Sequence, residues 1–372
     1  IRAGNMLAIR AFQVAALALL GHAADAPIVG ILTVPTSQES ECETVQKSAN
    51  VEGSGSCFAS LYVKYVESAG GRVVPILYDW SDDKLAEVFS SVNAVLFIGG
   101  GVDIKNPSAS PEAAQYVHAA SVLFNLTVNA SDAGERVPLW GTCLGLQTLA
   151  VVAAGSSVLQ TYAFDSKKMS LPLDLTPAAK SSKLLGSRVP GHILRWLTVE
   201  NVTTNLHHDG VLPETFTKNP RLAKLFSVLS TNRDRKEKEF VSTIEGREHP
   251  IFGVQWHPER PIFSWDEAGV NHSAHAVEAM QYFANFLVSE ARQNSHRFVS
   301  KTDEASALIY NYQAQGRSSY QVYLFSPGTQ ADQRNAAEET SEHARLSGGR
   351  GAAFFSRARG FQHHPSDGNA VV

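Results

Sequence analysis

The stretch Val137-Pro138-Leu139-Trp140-Gly141-Thr142-Cys143-Leu144-Gly145 decides the fold class of this 372-residue chain. Val137-Pro138-Leu139-Trp140 is a short apolar run of buried-strand type, and Leu146, Leu149, Ala150 and Ala153 then recur at helical spacing. Cys143 falls on the tight turn between them. A Gly-x-Cys-x-Gly in that position has the pattern of a nucleophile elbow with sulfur as the attacking atom. The flanking glycines suit a turn that brings two backbones close together. At a helix start, unpaired N–H groups and the helix dipole favour the thiolate, the form that attacks a carbonyl. The ordinary alternative is a buried structural cysteine, and a base elsewhere in the chain decides between the two.

That base is found in Ile251-Phe252-Gly253-Val254-Gln255-Trp256-His257-Pro258-Glu259, where an apolar strand ends in a histidine with a carboxylate two residues later. In open α/β sheets the ligand crevice lies at the carboxyl ends of the strands, so Cys143 and His257 are expected to meet there. His257 would serve as general base and acid, and Glu259 would hold its tautomer.

Outward from these two sites the chain alternates strand and helix. Strands are expected at 28–34, 72–77 and 93–98, with helices at 58–69 and 81–90. Ser110-Pro111-Glu112 opens a helix expected to reach about Asn125. Residues 240–244 and 251–255 read as a hairpin, and Ser273 caps a last helix with Val277, Met280, Phe283, Ala284 and Leu287 on one apolar stripe. Repeated strand, crossover helix and strand predicts an α/β fold, a mostly parallel central sheet with helices on both faces.

At this point the chain resembles the γ-glutamyl hydrolases of the class I glutamine amidotransferase-like (flavodoxin-like) superfamily over residues 27 to 325. Beyond the two segments above, the resemblance rests on Pro27-Ile28-Val29-Gly30-Ile31-Leu32, Tyr62-Val63-Lys64-Tyr65-Val66-Glu67-Ser68-Ala69-Gly70 and Arg72-Val73-Val74-Pro75. Leu96-Phe97-Ile98-Gly99-Gly100-Gly101-Val102-Asp103, Asn205-Leu206-His207 and Ala307-Leu308-Ile309-Tyr310 complete it. It implies a cysteine hydrolase that cleaves γ-glutamyl bonds, typically of folyl or antifolyl poly-γ-glutamates, through a thioester on Cys143, with His257 as partner and His207 on the substrate side. The backbone N–H groups of Gly100 and Leu144 are the expected oxyanion donors. The chain departs from the family's usual pattern in having Leu146 and Gln147 where many members have Phe and Glu, which makes Gln147 a substrate-side candidate. Ile98 stands where a proline often precedes the glycines, and the stretch beyond Phe325 has no counterpart.

A net charge of −4 and a pI near 6.4 give no electrostatic footprint for nucleic acid. A polyanionic substrate would therefore need local cations. Among Lys64, Arg72, Lys105 and Arg260 the sequence does not choose, the ordinary reading of each being a solvated surface charge. Residues 1–24 read as a few upstream residues followed by a secretory signal peptide, because Arg10 precedes the apolar run 11–21 and small residues follow at Ala23 and Ala24. The expected compartment is the secretory pathway, ending outside the cell or in a lysosome or vacuole. Four sequons, at Asn125, Asn129, Asn201 and Asn271, fit that route.

With Cys143 a free thiol, Cys42 and Cys57 are left to pair, the alternative being two reduced cysteines in a flexible segment. Residues 326–372 have the composition of a disordered tail. No metal, cofactor, nucleic acid or, after leader removal, membrane is expected as a partner. The expected partner is a small poly-γ-glutamate, with a homodimer as a family prior. The same motifs suit a glutaminase domain feeding a synthase, and a silent secreted binding protein is the reading from another class. The leader disfavours the first, and retention of nucleophile, base and acid disfavours the second.

Overall fold

Strands buried on both faces carry continuous apolar runs, and Ile28-Val29-Gly30-Ile31-Leu32 is such a run, buried along its whole length. The computed structural model describes residues 25–317 and 320–326, apart from 50, 52 and 54. The expected leader and almost all of the expected tail lie outside the described residues. In chain order the strands are β1 (Ile28–Leu32), β2 (Val34–Pro35), β3 (Ser56–Ala59), β4 (Arg72–Ile76), β5 (Ala94–Phe97), β6 (Leu139–Thr142) and β7 (Met169–Leu171). They continue with β8 (Asp174–Leu175), β9 (Thr203–Asn205), β10 (Phe226–Arg233), β11 (Glu239–Gly246), β12 (Ile251–Val254) and β13 (Val322–Phe325).

The main sheet has the order β4-β1-β5-β6-β12-β11-β10-β8. From β4 to β12 all neighbours are parallel, with Val29 opposite Ala94 and Leu139 between Val95 and Ile251. β11, β10 and β8 add an antiparallel wing. The hairpin of β11 and β12 leads the chain from this wing back into the parallel half, directly ahead of His257.

Helices Ser60–Ser68 and Ala274–Ala291 cover one face, and Asp82–Phe89, Pro111–Asp132 and Leu144–Ala154 the other. The long carboxyl-side helix is capped by the Ser273 hydroxyl, which accepts from the Ala276 N–H at 3.2 Å. It buries Met280, Phe283, Ala284 and Leu287 against the sheet, while Val277 is half-buried at the edge of that stripe. Ser110 caps the helix at Pro111 by accepting from the Ala113 N–H. That helix runs to Asp132 rather than to Asn125, and ends where Gly134 takes a left-handed φ of 86°.

The helix expected at 58–69 begins instead at Ser60. Phe58 and Ala59 belong to β3, which pairs antiparallel with β13 and with β2 in a second, three-stranded sheet. Their backbone partners come from the far end of the chain, which local periodicity cannot reveal. A disulfide between Cys42 and Cys57, Cα atoms 6.3 Å apart, ties helix Ser40–Ala49 to β3. No helix among the described residues is long and apolar enough to cross a membrane.

Candidate active site

Three neighbouring parallel strands, β5, β6 and β12, end at one crevice. Gly99-Gly100-Gly101 follows β5, Cys143 follows β6, and His257 follows β12. Cys143 sits at φ 53° and ψ −107°, between the strand and helix Leu144–Ala154. A non-glycine residue held there stores strain of about 1–3 kcal/mol, which the surroundings must enforce. They do so at close quarters. The Cys143 N–H donates to the Val254 carbonyl at 2.8 Å. A Cβ on Gly145 would lie 2.2 Å from the Phe97 carbonyl oxygen, and one on Gly141 would lie 2.6 Å from the Gly145 carbonyl. Only glycine lets the turn close onto β5 in this way.

His257 is fixed at both ends of its residue. Its N–H donates to the Thr204 carbonyl at 2.8 Å, and its Nδ1 meets Glu259 Oε1 at 2.7 Å. That leaves Nε2 for the Cys143 thiol, with which the imidazole is in hydrogen-bonding contact. Burial alone would push the imidazole toward the neutral form. The Glu259 carboxylate and the Cys143 sulfur outweigh it and raise the pKa to about 10. Glu259 is fully buried, which by itself would favour protonation, but the charge and hydrogen bond of His257, with Arg260 behind them, hold the carboxyl below its usual range. Arg260 Nε lies 3.5 Å from Glu259 Oε1, and its Nη2 3.8 Å from Glu41.

A chain of amides reaches the sulfur from the other side. Gln147 Nε2 donates to Gln255 Oε1 at 3.3 Å and to the Asp209 carbonyl at 2.9 Å, and Gln255 Nε2 points at Cys143 Sγ at 3.6 Å. The side chain of Gln147 is thus committed to the protein. Gln255 was not singled out in the sequence, although it lies inside the segment that ends in His257. His207 donates from Nδ1 to the Asp209 carbonyl at 2.8 Å. Its burial lowers its pKa to about 3, so it is a neutral imidazole. The Gly99 N–H is taken by the Tyr62 hydroxyl at 2.8 Å. Gly100 and Leu144 flank Cys143 in the crevice wall, and the first N–H groups of the helix have no intrahelical partner.

The crevice has a volume of about 640 Å³, within the range of small-molecule sites. Gly100, Cys143, Leu144, Gln147, His207 and His257 all line it. Of the four candidate cations, Lys105 and Arg260 line it and Lys64 and Arg72 do not. Lys64 donates to Gln321, and Arg72 pairs with Glu304 at 2.6 Å. The Lys105 ammonium is held by the carbonyls of Ser156 and Leu159. Lys167 and Lys168 also line the crevice, from a loop without apolar periodicity. Glu39 lines it too, with burial and then Glu41 raising its carboxyl above the usual value. Cys42, of the disulfide, belongs to the same wall.

The four sequon asparagines lie elsewhere on the surface. Asn125 and Asn129 are exposed one turn apart on their helix, Asn201 is exposed, and the Nδ2 of half-buried Asn271 donates to the Asn201 carbonyl at 2.7 Å. Among the described residues no group of three or more His, Cys, Asp or Glu is placed to hold a metal.

Residues 27–259 match the Peptidase C26 family profile. The mouse γ-glutamyl hydrolase is 38% identical over 310 residues, covering 82% of this chain and 91% of its own. The human γ-glutamyl hydrolase is 37% identical over 313 residues, with the same coverage of both chains, and γ-glutamyl hydrolase B of Dictyostelium discoideum 35% over 328 residues, covering 87% and 90%. Identity of 35–38% over 82–87% of the chain is the similarity of a family and not of a fold alone. The chain belongs to the γ-glutamyl hydrolases of the Peptidase C26 family and is a hydrolase.

Proposed function

We propose that the enzyme cleaves γ-glutamyl amides of folyl or antifolyl poly-γ-glutamates through a thioester on Cys143. The observation that carries this reading is a sulfur on a left-handed turn at a helix start, in contact with an imidazole whose far nitrogen is held by a buried carboxylate. The Cys143 thiolate adds to the γ-carbonyl carbon. The carbonyl oxygen becomes an oxyanion, bound by the N–H groups of Gly100 and Leu144, each such donor worth about 3–4 kcal/mol of transition-state stabilisation. The C–N bond then breaks, and His257 gives its proton to the leaving amine. Water, deprotonated by His257, adds to the thioester, and collapse releases the γ-carboxylic acid and the thiol. Glu259 balances the charge on His257 throughout. Neutral His207, its one N–H given to the Asp209 carbonyl, stands on the substrate side and adds no charge.

The family supports the bond cleaved, since the relatives named above are γ-glutamyl hydrolases. The folyl end and the thioester rest on the sequence resemblance and on the geometry. We place the mature chain in the secretory pathway, where the Cys42–Cys57 disulfide is at home.

The test is chromatography of products from a defined pteroyl-γ-polyglutamate, with free glutamine as a second substrate. Wild-type protein should release shortened pteroyl-glutamates and leave glutamine intact. Cys143→Ala should fold, bind and release nothing. Full activity in folded Cys143→Ala would end the thioester mechanism, and turnover of glutamine alone would favour the glutaminase reading.

A further inference from the structure

Tyr162 is 85% exposed, yet its position is tightly determined. Its backbone lies at φ 49°, a left-handed conformation that a tyrosine adopts only when held. The holding contacts are explicit. The Tyr162 N–H donates to Asp209 Oδ1 at 2.7 Å. On either side, Gln160 and Gly210 exchange backbone hydrogen bonds at 2.9 and 3.0 Å, and the N–H groups of Ala163 and Phe164 both donate to the His208 carbonyl. This zipper sets the Tyr162 ring face to face with the His208 imidazole, centroids 4.6 Å apart and planes 12° from parallel. The His208 ring is held in turn by Asp209 Oδ1, 2.7 Å from its Nδ1. Tyr162 and His208 both line the crevice that contains Cys143 and His257. One face of the tyrosine rests on His208, and its exposure leaves the other open.

An exposed, strained and clamped aromatic ring is poor economy for folding alone, since leaving a large apolar ring in water forgoes its burial energy. We propose that the Tyr162–His208 stack is a platform that takes the flat aromatic ring of the acyl end of the substrate, and so sets a preference for aromatic over aliphatic γ-glutamyl conjugates. The inference rests on the proposed cleavage at Cys143 and deepens it, since a planar ring stacked at the crevice wall anchors the end of the substrate away from the bond being cut. Stacking acts on binding of the ring in ground and transition states alike, so the effect belongs in KM more than in kcat. The wiring is short. The Asp209 carboxylate holds the platform, and the Asp209 carbonyl accepts from both His207 and Gln147.

The test compares pteroyl-γ-diglutamate with N-acetyl-γ-diglutamate, which has the same scissile amide and no ring. Tyr162→Ala should lower kcat/KM on the pteroyl substrate by about 3- to 10-fold, the size of one aromatic contact, mainly through KM. It should leave the acetyl substrate unchanged, and Tyr162→Phe should restore the pteroyl preference. Equal losses on both substrates would overturn the platform in favour of a structural role, and so would no loss on either. A separate arm measures the Kd of pteroic acid, which has the rings and no γ-glutamyl bond, for folded Cys143→Ala protein with and without Tyr162→Ala. A 3- to 10-fold weakening sustains the platform even if the wild type cleaves neither diglutamate, in which case it is the proposed cleavage that has failed. Unchanged binding of pteroic acid overturns the platform.

Discussion

Replacing Glu259 by glutamine removes one charge from a fully buried pair and leaves its shape in place. In the native site, Glu259 Oε1 lies 2.7 Å from His257 Nδ1. At that distance, and with an effective interior dielectric of about 20, carboxylate and imidazolium attract by about 6 kcal/mol. Glutamine still offers an oxygen to the Nδ1–H, so part of this support survives. A net loss of about 3–4 kcal/mol for the charged imidazole corresponds to a fall of roughly 10²- to 10³-fold in kcat/KM. The pH profile gives a second readout with a defined sign. Glu259 is one of the two groups that raise the His257 pKa to about 10. Without that carboxylate, burial dominates and the imidazolium deprotonates at lower pH, so the alkaline limb of kcat/KM should move toward neutrality. The rate of Cys143 alkylation by iodoacetamide should change in parallel. A Glu259→Gln enzyme with kcat/KM within threefold of wild type and an unmoved alkaline limb would refute the pairing.

Three further outcomes follow from named contacts. Gly99→Ala should abolish turnover in a folded protein, because the new Cβ would sit 2.7 Å from both His257 Cε1 and the Tyr62 hydroxyl; retained kcat with normal circular dichroism would count against that geometry. Cys57→Ser should cost about 3 kcal/mol, the loop-entropy value for a sequence separation of 15, read as a lower urea midpoint that reductant no longer affects; an unchanged midpoint would mean the bridge constrains nothing. His207 titrates near 3 when folded and near 6.5 when unfolded, so below about 6.5 the unfolded state binds a proton that the folded state refuses. Stability should therefore fall by up to about 1.4 kcal/mol per pH unit from about pH 6.5 down to about pH 3, and His207→Gln should flatten that slope in urea titrations; identical slopes would show that His207 is not the acid-labile group.

The parallel half of the sheet was legible because its strands are buried on both faces and so appear as uninterrupted apolar runs. β10 was not. Its sequence, Phe226-Ser227-Val228-Leu229-Ser230-Thr231-Asn232-Arg233, mixes buried hydroxyls and an amide with apolar residues, and Asn232 and Ser230 are satisfied by Ser242 and Thr243 across the strand pair. Helix Ser40–Ala49 is nearly all polar and is fastened by a disulfide rather than by a broad apolar stripe. In the site, Cys143, His257 and Glu259 were visible because each follows a strand in a fixed motif. Lys167 and Tyr162 come from loops, and what brings them to the crevice is backbone pairing with residues far along the chain. The same reason removes Lys64 and Arg72, whose side chains are spent on Gln321 and Glu304.

The pairing of β3 with β13 also governs when the crevice can exist. Tyr320 and Val322, which line it, come from a segment far along the chain from Cys143, and β13 pairs with the strand that carries Cys57. During synthesis the Cys143 thiol and the His257 imidazole emerge well before this wall can form. For that interval Cys42, Cys57 and Cys143 share one unfinished chain, and under the proposed mechanism a bridge to Cys143 would take up the sulfur that attacks the substrate. The thiol of Cys143 is thus made well ahead of Tyr320 and Val322, the residues that complete the wall beside it.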